Sequence, residues 1–361
     1  MSRRILIMAG GTGGHVFPGL AVAEALRSHG ETVAWLGTAA GIEARLVPAA
    51  GIELHTLPVT GLRGKGLATL ALAPLRLGIA LWSALGLMLR LKPRAVLGCG
   101  GFASGPGGVI AAALGYPLAI HEQNAIPGMT NRWLARVADR VFEGFPSSFP
   151  AGVRAEWTGN PVREAITNLP SPSTRMHGRG GRPRLLVVGG SLGAQAFNEL
   201  LPQALARLPE PLRPEVRHQC GERHADAARQ AYAQAGVAAR VEPFIADMAE
   251  AYGWADCALC RAGALTVSEL AAAGLGALLV PYPFAVDDHQ TANAGFLAAR
   301  GAAVVCRQHD LDPATLAKLL GELLGDRPRL LAMAESARAC AKPQAAERVA
   351  AALLALAGGA A

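Results

Sequence analysis

A glycine-rich stretch near the N-terminus carries residue types that bind phosphate and move protons. Residues 8–19 read MAGGTGGHVFPG and begin at the end of a short apolar run, ILIM, which predicts a buried strand. In a loop between a strand and a helix, backbone N–H groups can donate to a diphosphate. Histidine at position 15 is unexpected in a loop that binds a cofactor, so the chemistry of this loop needs a separate explanation.

The usual cofactor fingerprints do not match this loop. A dinucleotide fold requires G-x-G-x-x-G/A after its first strand. Gly11 and Gly13 fit that pattern, but Val16 stands at the third position. The GxxxxGK[ST] loop of nucleoside triphosphatases fails too, because Lys65 is followed by Gly66. The sequence therefore argues against NAD and ATP, and we expect no cofactor.

Three other stretches are candidates for phosphate binding. RLLVVGGSLG, at residues 184–193, repeats the strand-then-glycine pattern. GCGGFASGPGG, at residues 98–108, is so rich in glycine that its backbone must closely approach a ligand or another chain segment. In CRAGALTVSELAAAG, Thr266 and Ser268 are candidate helix caps beside a diphosphate. Glu269 is a candidate either for binding ribose hydroxyls or for completing an ordinary cap.

The elements around these loops predict an α/β protein with two doubly wound, Rossmann-like domains. Strand-like and helix-like segments alternate after each of the two glycine loops, a pattern typical of parallel sheets covered by helices. We expect an N-terminal domain over residues 1–163, a C-terminal domain over 164–340, and a cleft that both face. Residues 168–183 read as an exposed linker, and the helix pattern at about 341–358 is a candidate for packing back on the first domain.

Charge and cysteine usage narrow the function classes. The formal net charge is +7, and no carboxylate lies between Glu53 and Glu122, a region that holds six Lys and Arg residues. This pattern suggests an anionic partner or a solvated basic face. Nucleic-acid binding is disfavoured, because aromatic residues are 5% of the chain and no such motif is recognisable. The six scattered cysteines fit a reducing compartment, and Cys257 and Cys260 read as part of a buried strand.

The apolar run at residues 67–91 has two interpretations. Pro74, Arg76 and Arg90 interrupt it, so we expect that it does not span a membrane, which requires roughly 20 apolar residues. It is either a core helix or a surface helix whose apolar face lies on an anionic bilayer.

Eight motifs together resemble the bacterial peptidoglycan N-acetylglucosaminyltransferases, in the order of that family and over nearly the whole chain. They are GGTGGHVFPGLAVA, GLRGKG, GGFASGPGG, HEQNAIPGMTNRWLA, GNPVR, GGSLGAQAFN, CRAGALTVSELAAAG and DDHQTANA. The resemblance implies the GT-B fold and an inverting transfer without an obligatory metal. The donor would be UDP-N-acetylglucosamine, and the acceptor the muramyl 4-hydroxyl of undecaprenyl-pyrophosphoryl-N-acetylmuramyl-pentapeptide. It also implies a peripheral enzyme on the cytoplasmic face of the inner membrane, and residues 62–94 are our choice for its docking face.

The resemblance also implies a set of site residues. In the C-terminal domain, the backbone of Ile245 would meet uracil, Ser191 the phosphate, and Gln290 the sugar. The diphosphate and ribose would be lined by Ala264, Leu265, Thr266, Val267, Ser268 and Glu269. Arg163 would lie at the cleft, and Thr12, Gly13, Gly14 and Asn124 would complete the sugar and acceptor side. The chain departs from common family residues at Leu192, Ala262 and His289, which puts the contacts of those three positions in doubt.

His15 is the candidate general base in this framework, because a neutral imidazole with an ordinary pKa near 6.5 suits proton abstraction at cytoplasmic pH. The alternative is that His15 only shapes the turn, and Glu122 is then the rival base. Backbone amides with Arg163 or Arg261 are candidates for stabilising the departing UDP. We interpret Asp287, Asp288 and His289 as a helix cap and ligand contact, so no metal site is expected.

Three other function classes remain open from the sequence. A different GT-B glycolipid transferase would keep the fold and change the acceptor. A UDP-sugar epimerase would share the two-domain build and need no lipid acceptor. A non-catalytic protein that binds a membrane surface or nucleic acid is suggested by the basic charge, but low aromatic content and the lack of a nucleic-acid motif disfavour it.

Overall fold

The computed structural model describes residues 4–58, 73–190 and 193–359. The chain divides into two compact units, which we call unit 1 (Met1–Arg163 with Lys342–Ala361) and unit 2 (Glu164–Ala341). Each unit contains one fully parallel sheet flanked by helices, and the predicted α/β class with two doubly wound sheets is confirmed.

Seven strands in the described part of unit 1 form a sheet of order β3-β2-β1-β4-β5-β6-β7. They are β1 Ile5–Met8, β2 Val33–Thr38, β3 Glu53–Leu57, β4 Ala95–Gly98, β5 Leu118–Glu122, β6 Arg140–Glu143 and β7 Ala155–Trp157. The described helices before the boundary are α1 Gly13–Ser28, α2 Glu43–Ala49, α3 Ala73–Leu91, α4 Ser104–Ala113 and α5 Met129–Leu134.

The apolar run ILIM forms the centre of this sheet because both of its faces are covered. Ile5 and Ile7 pack on one side with the buried face of α1. Leu6 and Met8 point to the opposite side and pack with α3 and α4. A strand buried on both faces needs a continuous rather than an alternating apolar sequence, which is what residues 5–8 provide.

Unit 2 repeats this organisation with a six-stranded sheet of order β10-β9-β8-β11-β12-β13 among its described residues. The strands are β8 Arg184–Val188, β9 Glu215–Gln219, β10 Arg240–Glu242, β11 Cys257–Cys260, β12 Ala277–Leu279 and β13 Ala303–Val305. The helices are α6 Glu164–Thr167, α7 Pro172–Met176, α8 Gln195–Arg207, α9 Ala225–Gln234, α10 Met248–Trp254, α11 Ala264–Ala273, α12 His289–Ala298, α13 Pro313–Leu324 and α14 Arg327–Ala339. Short 3₁₀ turns occupy Glu210–Leu212, Glu222–His224, Val286–Asp288 and Gln308–Asp310.

The last helix, α15 Ala345–Gly359, belongs to unit 1. Its residues Val349, Ala350 and Leu353 are fully buried in the core formed by β1 and α1. The apolar spacing of residues 349, 350, 353 and 357 places these side chains on one helix face, which is the face that packs.

The expected exposed linker at residues 168–183 is wrong for its central part. Residues 172–176 form α7, and the Arg175 guanidinium donates to the carbonyl oxygens of Ala273 and Gly274 at 2.7 and 2.6 Å. Those carbonyls end helix α11, where intrahelical donors run out. Arginine therefore fastens this Pro- and Gly-rich segment to unit 2, although its composition resembles a free connector.

Strand order creates one topological switch point in each sheet. In unit 1 the chain leaves β1 for β2 on one side and later returns to β4 on the other. In unit 2 the same reversal separates β8 from β11. Ligands of open parallel sheets bind outside the carboxyl ends of strands at such points, and the glycine loops at residues 9–12 and 98–101, together with the segment after β11 at residues 261–263, lie there.

Candidate active site

The first glycine loop runs from β1 into α1 without a side-chain cap. Thr12 occupies the N-cap position with extended backbone, and Gly13 and Gly14 form the first turn. Amides of a first helical turn have no acceptor within the helix. Gly13 and Gly14 thus present N–H groups at the positive end of α1, as an anion-binding turn requires.

Glu43 holds this loop, and the sequence interpretation missed it. Its side chain is fully buried, and one carboxylate oxygen accepts the Gly11 N–H at 2.9 Å. The other oxygen accepts the amide and the hydroxyl of Thr38 at 2.9 and 2.6 Å. The Gly11 amide is therefore engaged by the protein itself. In the sequence, Glu43 looks like an ordinary acidic residue at a helix N-terminus, so nothing local indicated its contact with the loop.

The glycine-rich stretch at residues 98–108 packs closely against the first glycine loop, so its backbone contacts the protein rather than a ligand at Gly100 and Gly101. Gly101 has a φ of +82°, and a Cβ at this position would overlap the carbonyl oxygen of Gly10. At Gly100, with φ +90°, a Cβ would lie 3.0 Å from the His15 ring. Of the two expectations for residues 98–108, approach to another chain segment is therefore the one seen at Gly100 and Gly101.

His15 stands half-buried in the first turn of α1, against Gly100. Its Nδ1 lies 3.0 Å from Oε1 of Gln123, the residue that directly follows Glu122 at the end of β5. Gln123 in turn contacts His121, whose Nε2 lies 3.0 Å from the carbonyl oxygen of Gly159. Burial lowers the pKa of His121, which favours its neutral form. Gln123 is therefore a part of the site that the sequence interpretation did not assign.

Glu122 has both carboxylate oxygens occupied. Oε1 accepts the backbone and side-chain N–H groups of Asn124 at 2.9 and 3.2 Å. Oε2 accepts the Gly128 amide at 3.0 Å and the Asn131 side chain at 2.9 Å. The side chain is 2% exposed. This arrangement favours a role in holding the loop at residues 123–128 over proton transfer, and it explains the place of Asn124 in the site.

Arg163, the last residue before the boundary, lies beside α1. Its guanidinium carbon is 5.3 Å from the ring centroid of Phe17, two residues after His15. The predicted site residues of unit 1, namely Thr12, Gly13, Gly14, His15, Glu122, Asn124 and Arg163, therefore lie on the β1–α1 turn, on the end of β5 and its loop, or against α1.

In unit 2 the strand β11 leads into α11 through Arg261, Ala262 and Gly263. Gly263 is the N-cap, and Ala264 begins the helix. The predicted capping by Thr266 and Ser268 is wrong, because the N-cap is Gly263 and no side chain caps the helix. The Ser268 hydroxyl donates instead to the Ala264 carbonyl at 2.9 Å, one turn back. The N-terminal turn of α11 therefore carries backbone amides at 264–266 without a side-chain cap.

Glu269 lies one turn into α11, too far along to cap it. Its carboxylate accepts the Tyr252 hydroxyl at 3.0 Å, and the side chain is half-buried. Leu265, Thr266 and Ser268 are also half-buried, whereas Ala264 and Val267 are buried. Ile245 follows β10 and is 2% exposed, so its side chain belongs to the interior. Contact between its backbone and uracil stays a prediction.

Gln290 joins two loops that follow neighbouring strands. Its Oε1 accepts the amides of Ala262, after β11, and Tyr282, after β12, at 3.2 and 2.9 Å. Asn293, one turn later in α12, donates to the Ala262 carbonyl at 3.1 Å. These hydrogen bonds hold the N-terminus of α11 in place. The sequence interpretation missed the role of Asn293.

The Arg261 side chain is also engaged in contacts within unit 2. Its guanidinium donates to the Val280 carbonyl at 3.1 Å and to Oε1 of Gln308 at 2.5 Å, and it stacks 4.8 Å from the Phe197 ring. The side chain is 9% exposed. These contacts favour a structural role for Arg261 over contact with a departing diphosphate.

Asp288 precedes α12 in a left-handed conformation, with φ +50°, and its carboxylate accepts the Thr291 hydroxyl at 2.7 Å. Among the residues that the structure describes, no group of three or more His, Cys, Asp or Glu side chains is arranged to hold a metal ion. The predicted contacts of Ser191 and the departure at Leu192 lie outside the described residues.

Helix α3 presents apolar residues to both sides. Ala80, Ala84, Leu87 and Met88 are buried against the sheet. The outer face exposes Leu75, Leu77, Ile79, Trp82 and Leu89. Pro74–Leu91 is long and apolar enough to cross a membrane by length and composition, and 22% of it is buried in the structure. The preceding part of the predicted docking face, residues 62–72, lies outside the described residues.

Known proteins resemble the chain along its whole length. Residues 5–143 match the glycosyltransferase family 28 N-terminal domain, and residues 184–349 match the C-terminal domain of that family. The chain is 58% identical over 350 residues to a protein of Alkalilimnicola ehrlichii, covering 97% of this chain and 98% of the relative. The name of that relative is UDP-N-acetylglucosamine–N-acetylmuramyl-(pentapeptide) pyrophosphoryl-undecaprenol N-acetylglucosamine transferase.

Solved structures agree with this similarity. The crystal structure of Acinetobacter baumannii MurG superposes with a TM-score of 0.84 at 44% identity, covering 98% of this chain and 99% of that one. A UDP-N-acetylglucosamine 2-epimerase gives a TM-score of 0.68 at 14% identity, covering 99% of this chain and 98% of that one, which is a likeness of fold alone.

Proposed function

Because the chain belongs to glycosyltransferase family 28, and within it to the transferases that its curated relatives represent, we propose that it transfers N-acetylglucosamine from UDP-N-acetylglucosamine to undecaprenyl-pyrophosphoryl-N-acetylmuramyl-pentapeptide. The observation that carries this proposal is identity above 50% to such transferases over nearly the full length of both chains. The reaction is a step of peptidoglycan synthesis.

Donor binding is assigned to unit 2. The first-turn amides of α11 would meet the diphosphate, since a helix N-terminus stabilises negative charge. Glu269, anchored by Tyr252, would accept the ribose hydroxyls, and the Ile245 backbone would meet uracil. Gln290 already holds two loop amides through Oε1, so its side-chain NH₂ is the part that would reach the sugar.

Acceptor chemistry is assigned to unit 1. The muramyl 4-hydroxyl oxygen would form a bond to the anomeric carbon as the bond from that carbon to the UDP oxygen breaks, on the opposite face. His15 would take the hydroxyl proton. Negative charge that develops on UDP would be met by backbone amides at helix N-termini, and this support needs no metal. Glu122 is assigned to the loop, because its oxygens already accept four hydrogen bonds.

Membrane docking is assigned to the outer face of α3. Trp82 is 77% exposed and Leu75 is 63% exposed on that face, and Arg76 and Arg90 beside them are exposed as well. Arg94 is a weaker candidate, because it pairs with Glu31 at 3.0 Å. Inserted apolar side chains together with cations give peripheral attachment to an anionic surface. We propose that the enzyme works on the cytoplasmic face of the inner membrane.

The reaction is tested with radiolabelled UDP-N-acetylglucosamine and a lipid-linked muramyl-peptide analogue. We expect a labelled disaccharide product, and His15→Asn should lower kcat by about 10²- to 10⁴-fold, the usual contribution of a general base, with little change in KM for the donor. Glu122→Gln is the matched variant, and it should keep far more turnover than His15→Asn.

Other results would redirect the assignment. Near-normal turnover of His15→Asn with loss in Glu122→Gln would move the base to Glu122. UDP release without any acceptor, accompanied by an epimerised sugar, would favour the epimerase alternative. Transfer to a different glycolipid at a higher kcat/KM would favour another glycolipid transferase.

A further inference from the structure

We propose that Gln123 is a positioning residue that holds His15 in the tautomer with its proton on Nδ1 and with a bare Nε2. The proposal rests on the base role assigned to His15 above. It is carried by a chain of three side chains that starts at the backbone carbonyl of Gly159 and ends at the His15 ring.

The first step fixes the orientation of the Gln123 amide. Its Nε2 lies 3.0 Å from the carbonyl oxygen of His121 and 3.1 Å from Nδ1 of the same residue. A carbonyl oxygen can only accept, so the NH₂ group must face His121. The two N–H bonds of that group serve both acceptors, and the opposite orientation would set two oxygens against each other.

His121 supports this orientation independently. Its Nε2 lies 3.0 Å from the Gly159 carbonyl oxygen and must therefore carry a proton. A neutral imidazole carries one proton, so Nδ1 of His121 is an acceptor for the Gln123 NH₂ group. The residue is 1% exposed, and its environment favours the neutral ring.

The orientation of the Gln123 amide determines which nitrogen of His15 carries the proton. With the NH₂ group turned to His121, Oε1 of Gln123 points to Nδ1 of His15 at 3.0 Å. An amide oxygen accepts only, so Nδ1 of His15 must donate. In the neutral ring the remaining nitrogen, Nε2, then has a free lone pair. The orientation of the Gln123 amide, and with it the tautomer of His15, follows from two backbone carbonyls, those of His121 and Gly159.

The surroundings keep this chain rigid. Gln123 is 1% exposed, and its own carbonyl accepts the Asn160 side chain at 3.0 Å. Gly100 packs so closely on the His15 ring that a Cβ there would lie 3.0 Å from it. The ring is therefore held by a hydrogen bond at Nδ1 and by packing against Gly100.

This arrangement suits a group that accepts a proton at Nε2. Oε1 of Gln123 can accept from Nδ1 before and after proton transfer, because both the neutral ring and the imidazolium carry that proton. A carboxylate in the place of Gln123 would favour the imidazolium through its charge. The neutral amide of Gln123 orients the ring without placing a charge beside it.

The test reads the tautomer directly in the full-length protein. In ¹⁵N-histidine-labelled wild type, with His15→Asn used for assignment, the His15 nitrogen shifts should show a protonated Nδ1 and a bare Nε2. Gln123→Met keeps the side-chain length and removes the amide. We expect this variant to lose that tautomer preference and to lower kcat by about 10- to 100-fold, part of the contribution of a general base, with little change in donor KM.

Ser148→Ala is the matched control. Ser148 is buried in unit 1 and its hydroxyl donates to the Phe145 carbonyl at 2.8 Å, so the variant also loses a buried hydrogen bond. It should leave kcat and the His15 signals unchanged. A wild-type spectrum with the proton on Nε2, or an unchanged tautomer in Gln123→Met, would overturn the proposal. If the tautomer is as proposed but His15→Asn turns over normally, the positioning by Gln123 stands and the base role of His15 fails.

Discussion

Single polar residues in this protein mostly hold loops in place, including several with side chains suited to chemistry. Glu122, Glu43 and Arg261 are each 9% exposed or less and satisfied by several hydrogen bonds. Glycine loops have few side-chain contacts of their own, so buried carboxylates and amides must fasten their N–H groups. His15 differs, because it is half-buried and its Nδ1 lies within hydrogen-bond distance of Gln123.

A buried histidine in unit 2 should make stability depend on pH. Burial lowers the pKa of His218 to about 4, while its Nδ1 contacts the Tyr232 hydroxyl at 2.9 Å. The unfolded chain, with an ordinary histidine pKa near 6.5, binds more protons below that pH. The contribution of neutral His218 to the free energy of unfolding is therefore complete above pH 6.5 and is lost progressively toward pH 4. The loss at pH 5 is about 2 kcal/mol.

Urea unfolding at pH 7.5 and 5.0 measures this effect. His218→Gln keeps an acceptor for Tyr232 and removes the titrating ring, so its free energy of unfolding should fall by about 2 kcal/mol less on acidification than that of the wild type. The exposed His177 supplies the control, and His177→Gln should keep the wild-type pH dependence. Equal losses in wild type and His218→Gln would contradict the assignment.

At the scale of elements, helix α3 carries apolar residues on two faces for different reasons. Buried positions 80, 84, 87 and 88 follow helical spacing and cover the sheet. The remaining apolar side chains, with Trp82 the most exposed among them, are not covered by the described residues of unit 1. A helix that is apolar nearly all round would have both faces covered in use, and we propose that the bilayer covers the outer face.

Vesicle binding tests that assignment. Arg76→Gln with Arg90→Gln should weaken binding to anionic vesicles by roughly 30-fold, because each basic residue near such a surface contributes about 1 kcal/mol. The exposed pair Arg140 and Arg154 provides the matched control, since its double Gln variant has the same net charge. Equal weakening by both pairs would mean that net charge alone, rather than the face of α3, attracts the membrane.

At the scale of the whole molecule, two units share one plan, and the chain returns to the first unit at its end. Each sheet is parallel, and each reverses its strand order beside its first strand. Helix α15 then supplies Leu353 and Val349 to the core of unit 1, so the folding of that unit needs both ends of the chain.

Two substitutions that truncate core leucines should show which unit each leucine stabilises. Leu353→Ala in α15 should destabilise unit 1 by about 2–5 kcal/mol, as expected for a buried leucine. Hydrogen exchange should then accelerate in Ile5–Met8 and Val33–Thr38. Leu323→Ala, buried in α13, is the control and should accelerate exchange in Arg184–Val188 instead. Acceleration confined to unit 2 in Leu353→Ala would show that α15 does not stabilise unit 1.

The sequence by itself determined the fold class, the glycine loops and the family, because strand–loop–helix order and long motifs are local properties of the chain. It also indicated His15 as the residue of interest. It left open which approach the glycines at 98–108 make, which face of α3 packs on the sheet, and which groups bind the carboxylate of Glu122.

Only the tertiary structure decided those points, since they depend on residues far apart in the chain. Glu43 reaches Gly11, Gln123 reaches His15, and Gln290 joins the loops after β11 and β12. Parallel strands bring the carboxyl ends of distant segments to one edge of a sheet, and hydrogen bonds formed there cannot be read from local spacing. For the same reason local spacing predicts a linker around Arg175 and Arg179, whereas in the structure both bind backbone carbonyls of unit 2.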